Sequence, residues 1–175
     1  QTTDLHGRVA LVTGSRVKIG YQVAIMLLRA GAKVLCLTRF PVDAAARYAR
    51  EEDVSDWGHR LEIHGVDLRH TPSVEALCAQ ILDEQDRLDF LINNACQTVR
   101  RPPAFYEHMM KLELSTDLDA TTRALVGSER SSQRVPSAAL SQIRLLDEDH
   151  LDPTELFPAD RLDADLQQVD LRKVN

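Results

Sequence analysis

Residues 8–20 read Arg8-Val9-Ala10-Leu11-Val12-Thr13-Gly14-Ser15-Arg16-Val17-Lys18-Ile19-Gly20, and this stretch decides the fold. Val9 to Val12 is a continuous apolar run, the pattern of a strand buried on both faces of a parallel sheet. Thr13-Gly14 breaks the run, and Gly20 opens an amphipathic stretch from Tyr21 to Ala30 that stops at Gly31. Strand, glycine turn and helix together form an anion-binding layout. Backbone amides of the turn face the ligand, and the positive end of the helix dipole favours negative charge.

Outward from that turn, strands and helices alternate. Lys33 to Thr38 reads as a second buried strand, and Val42 to Glu52 as an Ala-rich helix started by Pro41. Trp57-Gly58 falls in a loop. Leu61 to Val66 makes a third strand ending at Asp67-Leu68. Thr71-Pro72 reads as a cap and first turn for a helix over Val74 to Glu84. Leu88 to Ile92 is a fourth strand, closed by Asn93-Asn94-Ala95. The alternation predicts an α/β fold, a doubly wound parallel sheet with ligands at the carboxyl ends of its strands.

Beyond Gln97 the pattern degrades, which divides the chain into a dinucleotide-binding part over 1–97 and an irregular, partly helical acidic segment over 98–175. Short helices are expected over Ala104 to Leu114, Ala138 to Leu146 and Leu162 to Leu171, with a flexible loop over Ser115 to Pro136. No fifth buried strand is evident, so the sheet reads as incomplete.

Composition sets further bounds. The 175 residues are 43% hydrophobic and 27% charged, values of a globular chain with a core of its own. No apolar run reaches the roughly 18 residues of a membrane span, and no leader pattern is present, so a cytoplasmic protein with no membrane partner is expected. Residues 1–111 hold 14 acidic and 14 basic side chains, whereas 112–175 hold 13 and 7, so the whole net charge of −6 lies there. That balance argues against a nucleic-acid partner. Cys36, Cys78 and Cys96 are widely spaced and fit free thiols of a reducing compartment. The histidines show no metal-ligand spacing, so no metal site is expected.

The strand ends carry the chemistry. Gly14 and Gly20 frame the phosphate turn, with Lys18 either pairing with a phosphate or standing as a solvated loop lysine. The second strand ends on Thr38-Arg39, where an acidic side chain would receive the ribose hydroxyls of NAD. Arg39, with Arg16 nearby, instead suits a 2′-phosphate. NADP is therefore the expected cofactor, with NAD the alternative. Asp67 is placed to accept from an adenine amino group, and the Asn pair to bond between neighbouring loops.

Thr13-Gly-Ser-Arg-Val-Lys-Ile-Gly20, Asp67-Leu68 and Leu91-Ile-Asn-Asn-Ala95 resemble the short-chain dehydrogenase/reductase family over residues 5–97. The resemblance implies a Rossmann-like fold and assigns Gly14, Ile19 and Gly20 to the pyrophosphate, and Thr38 and Arg39 to cofactor selection. It assigns Asp67 and Leu68 to adenine, and Asn94 and Ala95 to the ribose. Lys18 and Cys96 stand where the family carries glycines.

The family's reaction is hydride transfer at a nicotinamide, served by Tyr-x3-Lys. Here Tyr21 is followed four residues later by Ile25, Tyr48 by Glu52 and Tyr106 by Met110, so no catalytic residue is assigned. With no initiator Met, the chain is expected to be a fragment, the cofactor half of a reductase acting on a small-molecule substrate. A shortened, non-catalytic dinucleotide-binding or interaction module is the alternative. The resemblance also makes a homo-oligomer an expectation.

Overall fold

The computed structural model describes residues 3–96, 101–127, 135–150, 156–158, 161–165 and 167–171. The expected boundary at 97/98 lies outside them. Four parallel strands, β1 (Val9–Thr13), β2 (Lys33–Thr38), β3 (Leu61–Gly65) and β4 (Phe90–Ile92), form one sheet in the order β3-β2-β1-β4. Leu11 sits in register with Leu35 on one side and Leu91 on the other. The sheet is a doubly wound, Rossmann-like α/β layer, as the alternation predicts.

Alternate side chains of each strand bury in opposite directions. Ala10, Val12, Val34, Cys36 and Ile63 pack with Ile25 and Leu28 of α1 (Lys18–Arg29) and Tyr48 of α2 (Pro41–Tyr48). Val9, Leu11, Leu35 and Leu37 pack with Leu77 and Ile81 of α4 (Thr71–Glu84). Both faces of the sheet are thereby covered, and every residue of β1 is buried. By contrast Leu91 of β4 is exposed, because β4 is an edge strand.

Several local expectations need correcting. The second helix ends at Tyr48 instead of Glu52, and a separate turn, α3 (Val54–Trp57), follows. Trp57 is therefore no loop residue. Its indole is buried and meets Tyr48 edge-on at 6.3 Å between centroids, closing the core beneath α1. His70, not Thr71, caps α4, its ring accepting from the Ser73 amide. Leu88 precedes the ladder of β4.

The segment after β4 is more structured than its composition suggests. A 3-10 turn over Pro103–Tyr106 leads into α5 (Glu107–Glu113). The expected loop over Ser115 to Pro136 contains α6 (Ala120–Leu125), capped by the Asp119 carboxylate on the Thr122 amide at 2.8 Å. It docks through Leu125, which enters the main core, with Thr122 buried beside it. Val126 then bridges Ile63, and the Gly127 amide donates to the Ile63 carbonyl at 2.8 Å, covering the outer edge of β3. Of the helix expected over Ala138 to Leu146 only α7 (Ser137–Leu140) forms. The described residues of 162–171 are not helical. An antiparallel bridge joins Leu162 to Gln168, because Asp163, an intervening turn former, takes the Asp165 and Gln167 amides on its carboxylate.

Candidate functional site

The carboxyl ends of the four strands open into one cavity of about 1170 Å³, larger than the ~300–1,000 Å³ of ordinary small-molecule pockets. Ten of the eleven expected site residues line it: Gly14, Arg16, Lys18, Ile19, Thr38, Arg39, Asp67, Leu68, Asn94 and Ala95. Gly20 does not. It sits behind the turn, where an added Cβ would lie 2.4 Å from both the Asn94 amide nitrogen and the Gly14 carbonyl oxygen. Gly14 itself has φ +66 and would place a Cβ 2.9 Å from the Ala95 Cα. Both glycines thus let three chain segments converge on one point.

The convergence is held by Thr13 and Asn94. The Thr13 hydroxyl accepts from the Asn94 and Ala95 amides at 3.0 and 2.9 Å. The Asn94 side-chain amide donates to the carbonyls of Thr13 and Gly14 at 3.2 and 3.1 Å. The turn is further tied to β2, because the Gly14 amide donates to the Leu37 carbonyl at 2.9 Å. Asn94 therefore bonds between neighbouring loops, as its place at a strand end suggests. Thr13 is an equal partner that sequence reasoning quoted only as part of the turn.

The two arginines read as phosphate clamps have different surroundings. Arg16 is buried, and its Nη1 donates to Asp43 Oδ2 at 2.8 Å. Burial lowers its pKa against the opposing pull of the Asp43 charge. Its Nη2 reaches Gln167 Oε1 at 3.4 Å, so this guanidinium braces α2. Arg39 stays half-buried at the cavity wall. Its Nη2 donates to the Tyr106 hydroxyl at 2.8 Å, and its guanidinium lies 4.7 Å from the Tyr106 ring centroid and 5.6 Å from that of Phe40.

Asp67 is buried and grips Arg69 side-on, through both carboxylate oxygens, and also accepts from the Arg69 amide at 3.0 Å. Burial pushes the carboxyl up, yet the Arg69 hydrogen bonds and charge outweigh it and hold it below the usual carboxylate range. Asp67 is thus an anion at neutral pH. Ile19 and Leu68 are exposed at the rim.

Sequence reasoning missed the contribution of the C-terminal part. Phe105, Tyr106, Asp163, Gln167, Gln168 and Asp170 also line the cavity. Asp165 Oδ2 stands 3.6 Å from Lys18 Nζ, and its carbonyl accepts from Arg47 Nη1 at 2.7 Å. Asp170 pairs with Arg101. The acidic bias of residues 112–175 was the only signal of this, and it carries no address.

The three tyrosine hydroxyls of the chain are all engaged. Tyr21 donates to Glu51 Oε1 at 2.6 Å, Tyr48 to the Ser15 carbonyl at 2.7 Å, and Tyr106 accepts from Arg39. Among the described residues no group of three or more His, Cys, Asp or Glu is gathered for a metal ion. Among them too, no helix is long and apolar enough to cross a membrane.

Comparison with known proteins bears on this geometry. Residues 8–120 match the family model described as short chain dehydrogenase. An uncharacterized protein of Acanthamoeba polyphaga mimivirus is 42% identical over 101 residues, covering 55% of this chain and 22% of that protein. Retinol dehydrogenase 14 of Mus musculus is 37% identical over 100 residues, covering 52% of this chain and 30% of that protein. Among solved structures, Pseudomonas aeruginosa RhlG in an NADP active-site complex is 32% identical. That match covers 63% of this chain and 42% of the other, with a TM-score of 0.41. The chain spans less than a third of the length of either curated relative.

Proposed function

The chain belongs to the short-chain dehydrogenase family, and from that membership we propose that it binds NADP(H) as the cofactor half of a dinucleotide-dependent oxidoreductase. One observation carries the reading. The glycine turn, the Arg39 end of β2, the Asp67 end of β3 and the Asn94-Ala95 end of β4 surround a single cavity of about 1170 Å³.

The residues present suit such a ligand. Asn94 takes the Thr13 and Gly14 carbonyls, and the Leu37 carbonyl takes the Gly14 and Ser15 amides. A diphosphate therefore falls to the first amides of α1, which carry no side-chain cap. Arg39, its guanidinium set against the Phe40 and Tyr106 rings, offers a fixed cation to the 2′-phosphate of an adenosine. Asp67, held ionised by Arg69, accepts hydrogen bonds only, which suits the adenine amino group. The bound dinucleotide would supply the hydride chemistry, while this chain's residues bind and orient it. No Tyr-x3-Lys occurs within the 175 residues, and the three tyrosine hydroxyls serve structural bonds. The chain by itself is therefore read as binding without turnover, and the oxidoreductase activity and its substrate belong to a longer protein. The free thiols of Cys36, Cys78 and Cys96 support a reducing, cytoplasmic setting.

Titration of nicotinamide fluorescence tests the reading. Saturable binding of NADPH is expected, with NADH weaker by roughly tenfold, and Arg39→Asp erasing that preference. Failure of both nucleotides to bind folded protein at millimolar levels overturns it. A second reading, a non-catalytic nucleotide-binding module, is favoured by the engaged tyrosines. It predicts the same titration but no activity when the complete reading frame is expressed.

A further inference from the structure

Tyr106 lies outside the strand ends that define the site, yet it makes the closest side-chain contact to Arg39. Its ring is buried, packed at 5.2 Å against Phe40 and at 5.1 Å, edge-on, against Phe105. Those neighbours fix the ring plane, so the hydroxyl has one direction in which to point. It accepts from Arg39 Nη2 at 2.8 Å, while the guanidinium lies 4.7 Å from the ring centroid. Arg39 is also fixed at its backbone, because Ser137 Oγ donates to the Arg39 carbonyl at 2.8 Å. Both restraints come from the region after β4, and they act on a residue at the end of β2.

An arginine side chain in solution samples many rotamers, and binding a ligand with it forfeits that freedom. Here the freedom is forfeited before any ligand arrives. Of the five N–H donors in the guanidinium fork, Tyr106 takes one. The other guanidiniums lining the cavity are committed to carboxylates, Arg69 to Asp67, Arg16 to Asp43 and Arg101 to Asp170. The charge at this end is thus presented by Arg39, in an orientation set by Tyr106.

We infer that Tyr106 is a positioning residue for cofactor specificity, holding Arg39 in the pose that receives a ribose 2′-phosphate. The inference rests on the NADP(H) reading above and adds to it the residue that makes Arg39 selective. Tyr106 touches no phosphate itself. It acts on the nucleotide that carries the extra phosphate and leaves the one without it alone.

The experiment compares NADPH and NADH affinities of the wild-type chain with those of Tyr106→Phe and Tyr106→Leu. Tyr106→Phe keeps the ring packing and removes only the acceptor. It is expected to weaken NADPH by roughly 3- to 10-fold and to leave NADH unchanged. Tyr106→Leu removes the aromatic face as well and is expected to lower the NADPH preference further. Circular dichroism verifies that each variant is folded, and Tyr106→Phe decides the question if Tyr106→Leu is not. An unchanged NADPH/NADH ratio in folded Tyr106→Phe overturns the inference and leaves the NADP(H) reading standing. So does a rise in NADPH affinity, which would mean that Tyr106 competes with the phosphate for Arg39. A wild-type chain that binds neither nucleotide, or both equally, overturns the NADP(H) reading and the inference with it.

Discussion

Lys18 has a backbone φ of +55, the only positive value at a non-glycine among the described residues. In that region a Cβ crowds the following carbonyl at about 1–2 kcal/mol, a cost glycine does not carry. Glycine is what the family places at this position, and the geometry gives the reason: the chain must reverse sharply between Ser15 and the first turn of α1. Its ammonium forms a 3.6 Å, largely solvated pair with Asp165, which is worth little. Lys18→Gly is therefore expected to stabilise the chain by about 1 kcal/mol, part of the relief being offset by greater freedom of the unfolded chain. Urea denaturation read by Trp57 fluorescence measures it, and a loss of stability would refute the strain account. At this scale the sequence was informative where chemistry is local. Gly14, Asp67 and Asn94 announce themselves because each ends an apolar run. Arg39 was legible as a cation at the right strand end, but Tyr106, 67 positions on, follows no pattern tied to it.

At the level of elements, α2 and α5 meet through one carboxylate. Glu113 of α5 accepts from the Asp43 and Val42 amides at 2.8 and 3.2 Å, satisfying two of the orphan donors at the start of α2. Burial pushes its pKa up to about 7 despite these bonds, with the nearby Asp43 charge acting in the same direction and Arg16 opposing. A carboxyl raised in the folded state, from the ordinary 4.5, binds protons that the unfolded chain has released. Its favourable contribution is complete below pH 4.5 and is lost as pH rises through 7. Stability is thus expected to fall between pH 5 and 8, by up to about 3 kcal/mol. Glu113→Gln, neutral throughout, flattens that slope, and denaturation at several pH values checks it. An unchanged slope would remove Glu113 as its source. The elements before β4 were readable because strands covered on both faces write unbroken apolar runs. After it the helix over Ala104 to Leu114 was readable and forms as α5. The helix α6 was not, because its buried positions, Thr122 and Leu125, include a single apolar one and no periodicity develops over six residues.

Across the whole molecule, the acidic C-terminal part and the glycine turn are brought face to face. Lys18 pairs with Asp165, Arg47 with the Asp165 carbonyl, Arg16 with Gln167, and Arg101 with Asp170. Each of these four cations already has an oxygen nearby. Asp165→Asn is expected to tighten NADPH binding by roughly 2- to 5-fold, and equal or weaker binding would show that this carboxylate does not oppose the ligand. Because that oxygen is tethered, its local concentration is fixed by the chain and does not fall on dilution. Added salt then loosens the internal ion pair as well as the nucleotide's own attraction, and the two effects partly cancel. The wild-type chain should accordingly lose affinity with ionic strength less steeply than Asp165→Asn, as if it carried its own buffer against counter-ions.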